Sequence, residues 1–276
     1  MVNDTFSAKR FGQYFMYDLK QLWHNNGKAA LALGFISVIC YIIWVAFSLI
    51  FVGTWQAPGL VARLVFFSIG SMILVFYQTR TYGYLTEKKA GQSWLMVPAS
   101  HLEKFVSMMI ITIIVIPLAY LVSYLVLDSL IGLLDKTSGG PLLGGFGSVM
   151  DSVNRALSAA REEGFQFSLS AFMIPSVFQF IFNLLYFLLC GICFKKWKIM
   201  GGIGIMLGVE AVVGPVLSSL IFKYWTPLIS GEEYQGDPAV INDIVHQVAI
   251  YSNVINIVLL LAVAVAIYYR IKTFKH

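Results

Sequence analysis

Six long apolar runs decide what this chain can become. They cover Ala29 to Gly53, Leu60 to Gln78, Phe105 to Leu127, Ser168 to Cys193, Ile199 to Phe222 and Val248 to Tyr269. Each is long enough for a helix to cross roughly 30 Å of hydrocarbon. Open strands are excluded, because they would leave backbone N–H and C=O groups unpaired in lipid. A composition of 58% hydrophobic and 12% charged residues, with a mean hydropathy of +0.78, is far from that of a soluble domain. The expected fold is an all-α membrane protein of six transmembrane helices. Residues 1–28 form a cytoplasmic or interfacial helix, and residues 29–276 form one six-helix domain with a loop at 79–104 on one side and loops at 128–167 and 223–247 on the other.

Basic residues set the orientation. With the N-terminus inside, Lys9, Arg10, Lys20, Lys28, Arg80, Lys88, Lys89, Lys104, Lys195, Lys196, Lys198, Arg270, Lys272 and Lys275 all face the cytoplasm, 14 of the 19 Lys and Arg. The positive-inside rule then predicts both termini in the cytoplasm. The same bias accounts for a pI near 9.0 without nucleic acid as a partner. No cleavable signal peptide is expected, since 28 fairly polar residues precede the first apolar run and that run is too long for a signal core. Cys40, Cys190 and Cys193 all fall in spans, which argues against an extracellular disulfide framework. Cys190 and Cys193 have the C-x-x-C spacing but no second ligand pair, so they read as small packing residues and no metal site is expected.

Ahead of the first span, Phe11, Phe15, Leu19, Leu22 and Trp23 fall on one helical stripe, with Lys9, Arg10, Gln13, Lys20 and Gln21 elsewhere. Such a helix lies in the membrane interface, either as an anchor or also in contact with a cytoplasmic subunit. On the other side, Ser148 to Glu163 reads as an amphipathic helix, with Ser148 and Asp151 as a capping pair and Gly164 as the stop. In the last outer loop, Tyr224 and Trp225 are interfacial aromatics and Gly236-Asp237-Pro238 signals a turn.

The loop at 79–104 has the most internal pattern. Ser100 and Glu103 form an S-x-x-E capping box, so the third helix begins about one turn below the membrane. Upstream, Thr86-Glu87-Lys88-Lys89 is a short charged piece ended by Gly91, and the apolar run Trp94-Leu95-Met96-Val97 follows. The layout fits a short helix across the cytoplasmic face with an apolar patch beside it, or a solvated turn with snorkelling lysines.

The stretch LTEKK…LMVPASHLEKF (Leu85 to Phe105), the aromatic helix before the first span, the six spans and the basic tail together resemble the permease subunits of ATP-binding-cassette transporters of the second exporter type, in their small bacterial form. At motif level the resemblance covers only about 20 residues, and fold likeness is silent on cargo. It implies an interface helix through Phe11, Phe15, Leu19 and Trp23, and a coupling helix that docks on a separate ATPase through Glu87, Lys88, Lys89 and Trp94. It also implies a second permease copy, identical or paralogous, with the pathway between the two. ATP and magnesium would then sit on the partner subunit, and the chain would be a multi-pass protein of the bacterial cell membrane. The longer loop at 128–167 and the acidic last outer loop depart from the family pattern.

The chain lacks the G-x-x-x-x-G-K-[ST] phosphate loop, since Lys136-Thr137 and Lys272-Thr273 are not preceded by the required glycines. It is therefore expected to be a transport subunit and not an enzyme. His24, His101, His246 and His276 are scattered and form no catalytic or metal spacing. Polar residues inside spans are the candidate pathway positions: Gln179 and Asn183 in the fourth, Glu210 in the fifth, Asn253 and Asn256 in the sixth. A lone Glu210 in hydrocarbon costs a few kcal/mol, so it either lines the pathway or hydrogen-bonds one of those amides as a packing clamp. Gly204 and Gly208 permit close helix approach, and Gly214-Pro215 and Pro117 invite bends. A non-transporting membrane module that uses the same helices to bind another protein is the alternative function.

Overall fold

The computed structural model describes residues 6–162, 164, 169–230 and 238–273, with backbone alone at 88–90, 169–172, 213–214, 216–218, 220–230, 238–241 and 243–245. All regular structure among the described residues is helical. The order is α1 (Ala8–Gly34), α2 (Ile36–Phe51), α3 (Leu60–Thr81), α4 (Lys88–Met96), α5 (His101–Ile110), α6 (Ile116–Leu134), α7 (Leu142–Glu162), α8 (Leu169–Cys193), α9 (Lys198–Ser230) and α10 (Pro238–Lys272). Four helical segments among the described residues are long and apolar enough to cross a membrane, and the bent pair α1–α2 makes a possible fifth.

Four boundaries differ from the sequence reading. The expected separation between an interface helix at 1–28 and a first span at 29–53 is absent: α1 runs unbroken from Ala8 to Gly34, and the chain bends by 40° at Phe35. Nothing at 25–29 stops a helix, because the single Gly27 costs only about 1 kcal/mol and its missing side chain leaves room for the Trp23 ring. The short helix of the 79–104 loop is not ended by Gly91 but runs through it from Lys88 to Met96, preceded by a 3-10 turn at Gly83–Thr86. Much of the expected loop at 223–247 is helical, since α9 reaches Ser230 and α10 starts at Pro238, while the turn at Gly236-Asp237 lies outside the described residues. Likewise α7 starts at Leu142, ahead of Ser148, and the expected stop at Gly164 has the left-handed φ of 90°.

The segment from α5 to α6 is irregular where proline requires it. Pro117 has no N–H for the Ile113 carbonyl, and a π turn at Ile111–Val115 joins α5 to α6 and absorbs the mismatch. The core is formed by α1, α3, α5, α6, α8 and the C-terminal part of α10, centred on Leu74, Tyr82, Trp94, Met108, Ile111, Tyr124 and Leu188. Gly191 makes the α3–α8 contact possible, because a Cβ there would stand 2.6 Å from the Thr79 carbonyl oxygen. α9 is attached more loosely, and every described residue from Gly204 to Val212 is exposed.

Candidate functional site

Where the 3-10 turn and α4 meet α1 and α5, polar side chains are buried in an otherwise apolar bundle. The capping box is formed: the Ser100 hydroxyl accepts from Glu103 N–H at 3.2 Å, and the Glu103 carboxylate accepts from Ser100 N–H at 2.9 Å. The same carboxylate reaches α1, accepting from Ser7 N–H at 2.8 Å and from Arg10 Nε and Nη2, both at 2.8 Å. One local motif thus ties the start of α5 to the start of α1. The guanidinium and the two backbone donors hold Glu103 at about 2, well below the usual carboxylate range.

Eight residues further along α1, Asp18 is 2% exposed. Its Oδ2 accepts from Tyr82 Oη at 2.8 Å and from Ser107 Oγ at 2.7 Å, which joins α1, the turn before α4, and α5 at one atom. Burial pushes the Asp18 carboxyl up to about 6, and the two hydroxyl donors moderate the rise. Trp94, 1% exposed, donates its indole N–H to the Tyr14 hydroxyl at 2.9 Å. Lys104 Nζ donates to the Trp94 carbonyl at 3.0 Å and stands 4.5 Å from the ring centroid, a cation–π contact. Lys104 faces no carboxylate at ion-pair distance among the described residues, and desolvation lowers it to about 8.

The assignment of Trp94 as a docking anchor is therefore corrected. Its ring fills the space between α1 and α5, and Met96, 81% exposed, is the apolar side chain that α4 turns outward with Gln92 and Ser93. A four-residue apolar run on a nine-residue helix has too short a period to reveal which member faces in. Glu87 occupies the N-cap position of α4 without a side-chain capping bond and is exposed, while Lys88 and Lys89 have backbone in α4 and side chains outside the described residues. Phe11, Phe15 and Leu19 are half-buried, and only Trp23 stands clear, at 61% exposure. The centre of the buried face of α1 is Tyr14 and Asp18, which the sequence reading missed. Their i, i+4 spacing inside the apolar stripe was the available signal.

The polar residues expected inside spans do not converge among the described residues. Gln179 Nε2 and Asn183 Oδ1 are 3.5 Å apart on one exposed face, Asn256 is buried and Asn253 Oδ1 has no hydrogen-bond partner. The expected clamp between Glu210 and one of these amides is absent: Glu210 is exposed and has no hydrogen bond or ion pair among the described residues. Gly204 and Gly208 also face open space among the described residues.

A second buried polar cluster lies at the opposite end of α3. Arg63, 5% exposed, meets Asp128, 2% exposed, with Nη1 at 3.2 Å from Oδ2. Arg63 also donates to the Gly140 and Ser138 carbonyls at 2.9 and 3.1 Å, and Leu142 N–H donates to Asp128 at 2.9 Å. These bonds pin the α6–α7 connection to α3. No group of His, Cys, Asp or Glu side chains among the described residues is arranged to hold a metal ion. Comparison with protein-family models, with curated proteins and with solved structures finds no match to this chain.

Proposed function

We propose that this chain is the membrane-spanning subunit of an ATP-driven exporter, multi-pass in the cell membrane with both termini cytoplasmic, and coupled to a separate ATPase through the α4 region. One observation carries the reading. The segment between α3 and α5 is folded into a turn and a helix and braced to α1 and α5 by the Asp18, Trp94 and Glu103 bonds, while Met96 and Glu87 remain on its surface. A solvated turn has no need of a buried brace. A surface that must pass force from a soluble subunit into membrane helices does, because slack in the joint would dissipate the stroke. ATP and magnesium belong to the partner in this reading.

The exposed flank of α9 supports a second permease copy, identical or paralogous. A carboxylate at Glu210 facing lipid is costly, and the cost is relieved if the residue faces a wet pathway between two copies. Six spans are needed for this arrangement, with α9 as the fifth.

The test is co-purification of the ATPase in mild detergent, with permease-stimulated turnover. Met96→Asp combined with Glu87→Lys alters exposed side chains only and should cost on the order of 2 kcal/mol of subunit binding while the thermal midpoint of the isolated chain stays put. If the variant assembles and stimulates like the unaltered protein, α4 is not the docking element. If no ATPase co-purifies at all, the chain is a non-transporting membrane module.

A further inference from the structure

Beside the braced loop, and separate from the surface of Met96, is a cavity of about 620 Å³ between α1, the end of α3, the 3-10 turn and the start of α9. Its wall carries Lys28, Arg80 and Lys198, and Glu87 is its only acidic lining residue. The side chains of Lys28 and Arg80 are exposed, and neither has an ion-pair partner among the described residues. Lys198 Nζ donates to the Gly83 carbonyl, which orients the ammonium but neutralises none of its charge. Burial lowers the Lys198 pKa, and the Glu87 carboxylate opposes that shift. Three cations in this concavity thus face one carboxylate among the described residues, and positive charge exceeds negative.

Size and depth narrow the ligand. The volume falls within the range of small-molecule sites, far larger than a lone inorganic ion requires. Lys28 immediately precedes one apolar run, Arg80 stands two residues past the end of another and Lys198 immediately precedes a third, so the three cations share the depth at which membrane phosphates lie. Next to Lys198, Trp197 is 77% exposed and held at a left-handed φ of 55°, flanked by the exposed Lys195 and Lys196. An aromatic ring amid lysines on a turn between two apolar helices is the pattern of a segment seated among headgroups.

We propose that this cavity binds a phosphate-bearing anion, presented by the headgroup of an anionic phospholipid and held by Lys28, Arg80 and Lys198. Asn25 supplies an amide for the headgroup's remaining polar atoms, while Asn26 donates to the Arg80 and Thr81 carbonyls and holds the end of α3 against α1. Because Lys198 also holds the Gly83 carbonyl, a phosphate that draws the ammonium toward itself loosens the turn that leads into α4. Binding needs only that α3 and α9 end at a membrane surface, so it stands or falls separately from ATPase docking.

The experiment compares the whole chain in phosphatidylcholine nanodiscs with and without phosphatidylglycerol, reading retained lipid by native mass spectrometry and the thermal midpoint. Phosphatidylglycerol should be retained and should raise the midpoint. Lys28→Gln with Arg80→Gln should weaken retention by about fivefold for each charge removed, and the swap Lys28→Arg with Arg80→Lys should restore it. Lys195→Gln with Lys196→Gln removes equal charge from the same rim but outside the cavity, and should retain lipid like the unaltered chain. Glycerol 3-phosphate, added in uncharged detergent, distinguishes the source: protection lost in the Lys28/Arg80 variant shows the same chemistry filled by a soluble anion. Equal retention by the Lys28/Arg80 variant and the unaltered chain, or equal loss in the Lys195/Lys196 control, overturns the proposal.

Discussion

At the α7 end of the bundle, Arg63 and Asp128 are buried together, and backbone carbonyls and an N–H take up further bonding capacity of the pair. At the α4 end, Asp18 and Lys104 are also buried, but each lacks an opposite charge among the described residues: Asp18 has two hydroxyl donors, and Lys104 has a carbonyl and an indole ring. The first arrangement is a neutral lock that favours one geometry strongly. The second holds uncompensated charges with neutral dipoles, so a change of protonation or a shift of one partner alters its energy by an amount comparable with other conformational steps. A bundle built this way is stiff at one end and adjustable at the other.

The comparison breaks first at the lock. Arg63→Ala strands a buried carboxylate and should cost about 3–5 kcal/mol, read as a lowered thermal midpoint in detergent. Arg63→Leu with Asp128→Leu should cost less than the single change, because neither charge is then left behind. A double variant worse than the single would mean that packing, not charge pairing, holds this end.

At the adjustable end a smaller effect is expected. Tyr82→Phe removes one of two donors to the Asp18 carboxylate and should cost about 1.5–3 kcal/mol. Retained stability together with an unchanged pH profile would show that Asp18 does not depend on that hydroxyl.

The pH profile sharpens the contrast further. Asp18 titrates near 6 in the fold against an ordinary value of 3.8, so the folded state holds this proton more tightly than the unfolded chain. Its contribution to stability is therefore largest below about pH 4 and declines as pH rises through 6. Glu103, lowered to about 2 from 4.5, acts in the opposite sense, adding stability that is present above pH 4.5 and lost as pH falls toward 2. Asp18→Asn should flatten the midpoint between about pH 4 and 6 and leave the loss below 4 intact. A profile that keeps its slope in the upper window assigns that slope to another group. The smallest effect is that of the cap, where Ser100→Ala should cost about 1 kcal/mol by thermal unfolding. A neutral result there would place the work of the box on Glu103 alone.

These two clusters also mark how far the sequence could be read. Ser100 and Glu103 were legible because a capping box is local, complete within four residues. The apolar runs were legible because their composition admits little besides helix. What joins Asp18 to Tyr82 and Ser107 is a tertiary register across 64 and 89 residues of chain, which no local pattern encodes. Arg63 and Asp128 stand 65 residues apart in the chain, and the return of the chain at Gly140 to Leu142 completes their cluster, which no local pattern encodes either. Trp94 was noticed but faced the wrong way, because an aromatic ring beside an exposed methionine fits a docking patch as well as a core. Gly204, Gly208 and Glu210 show the converse: their pattern was visible, but among the described residues the two glycines meet open space and Glu210 is exposed.

The unbroken course of α1 has a mechanical meaning. A helix of 27 residues is a rod of about 40 Å, and this one is held at three places: by Glu103 near its start, by Asp18 along its length and by the bend at Phe35. Asp18 divides the rod into arms of roughly 15 and 24 Å. Treated as a lever pivoting there, α1 carries any sideways step of its Ala8 end to Gly34 enlarged by about half again and reversed in direction. Its fulcrum is a single carboxylate oxygen shared by two hydroxyl groups.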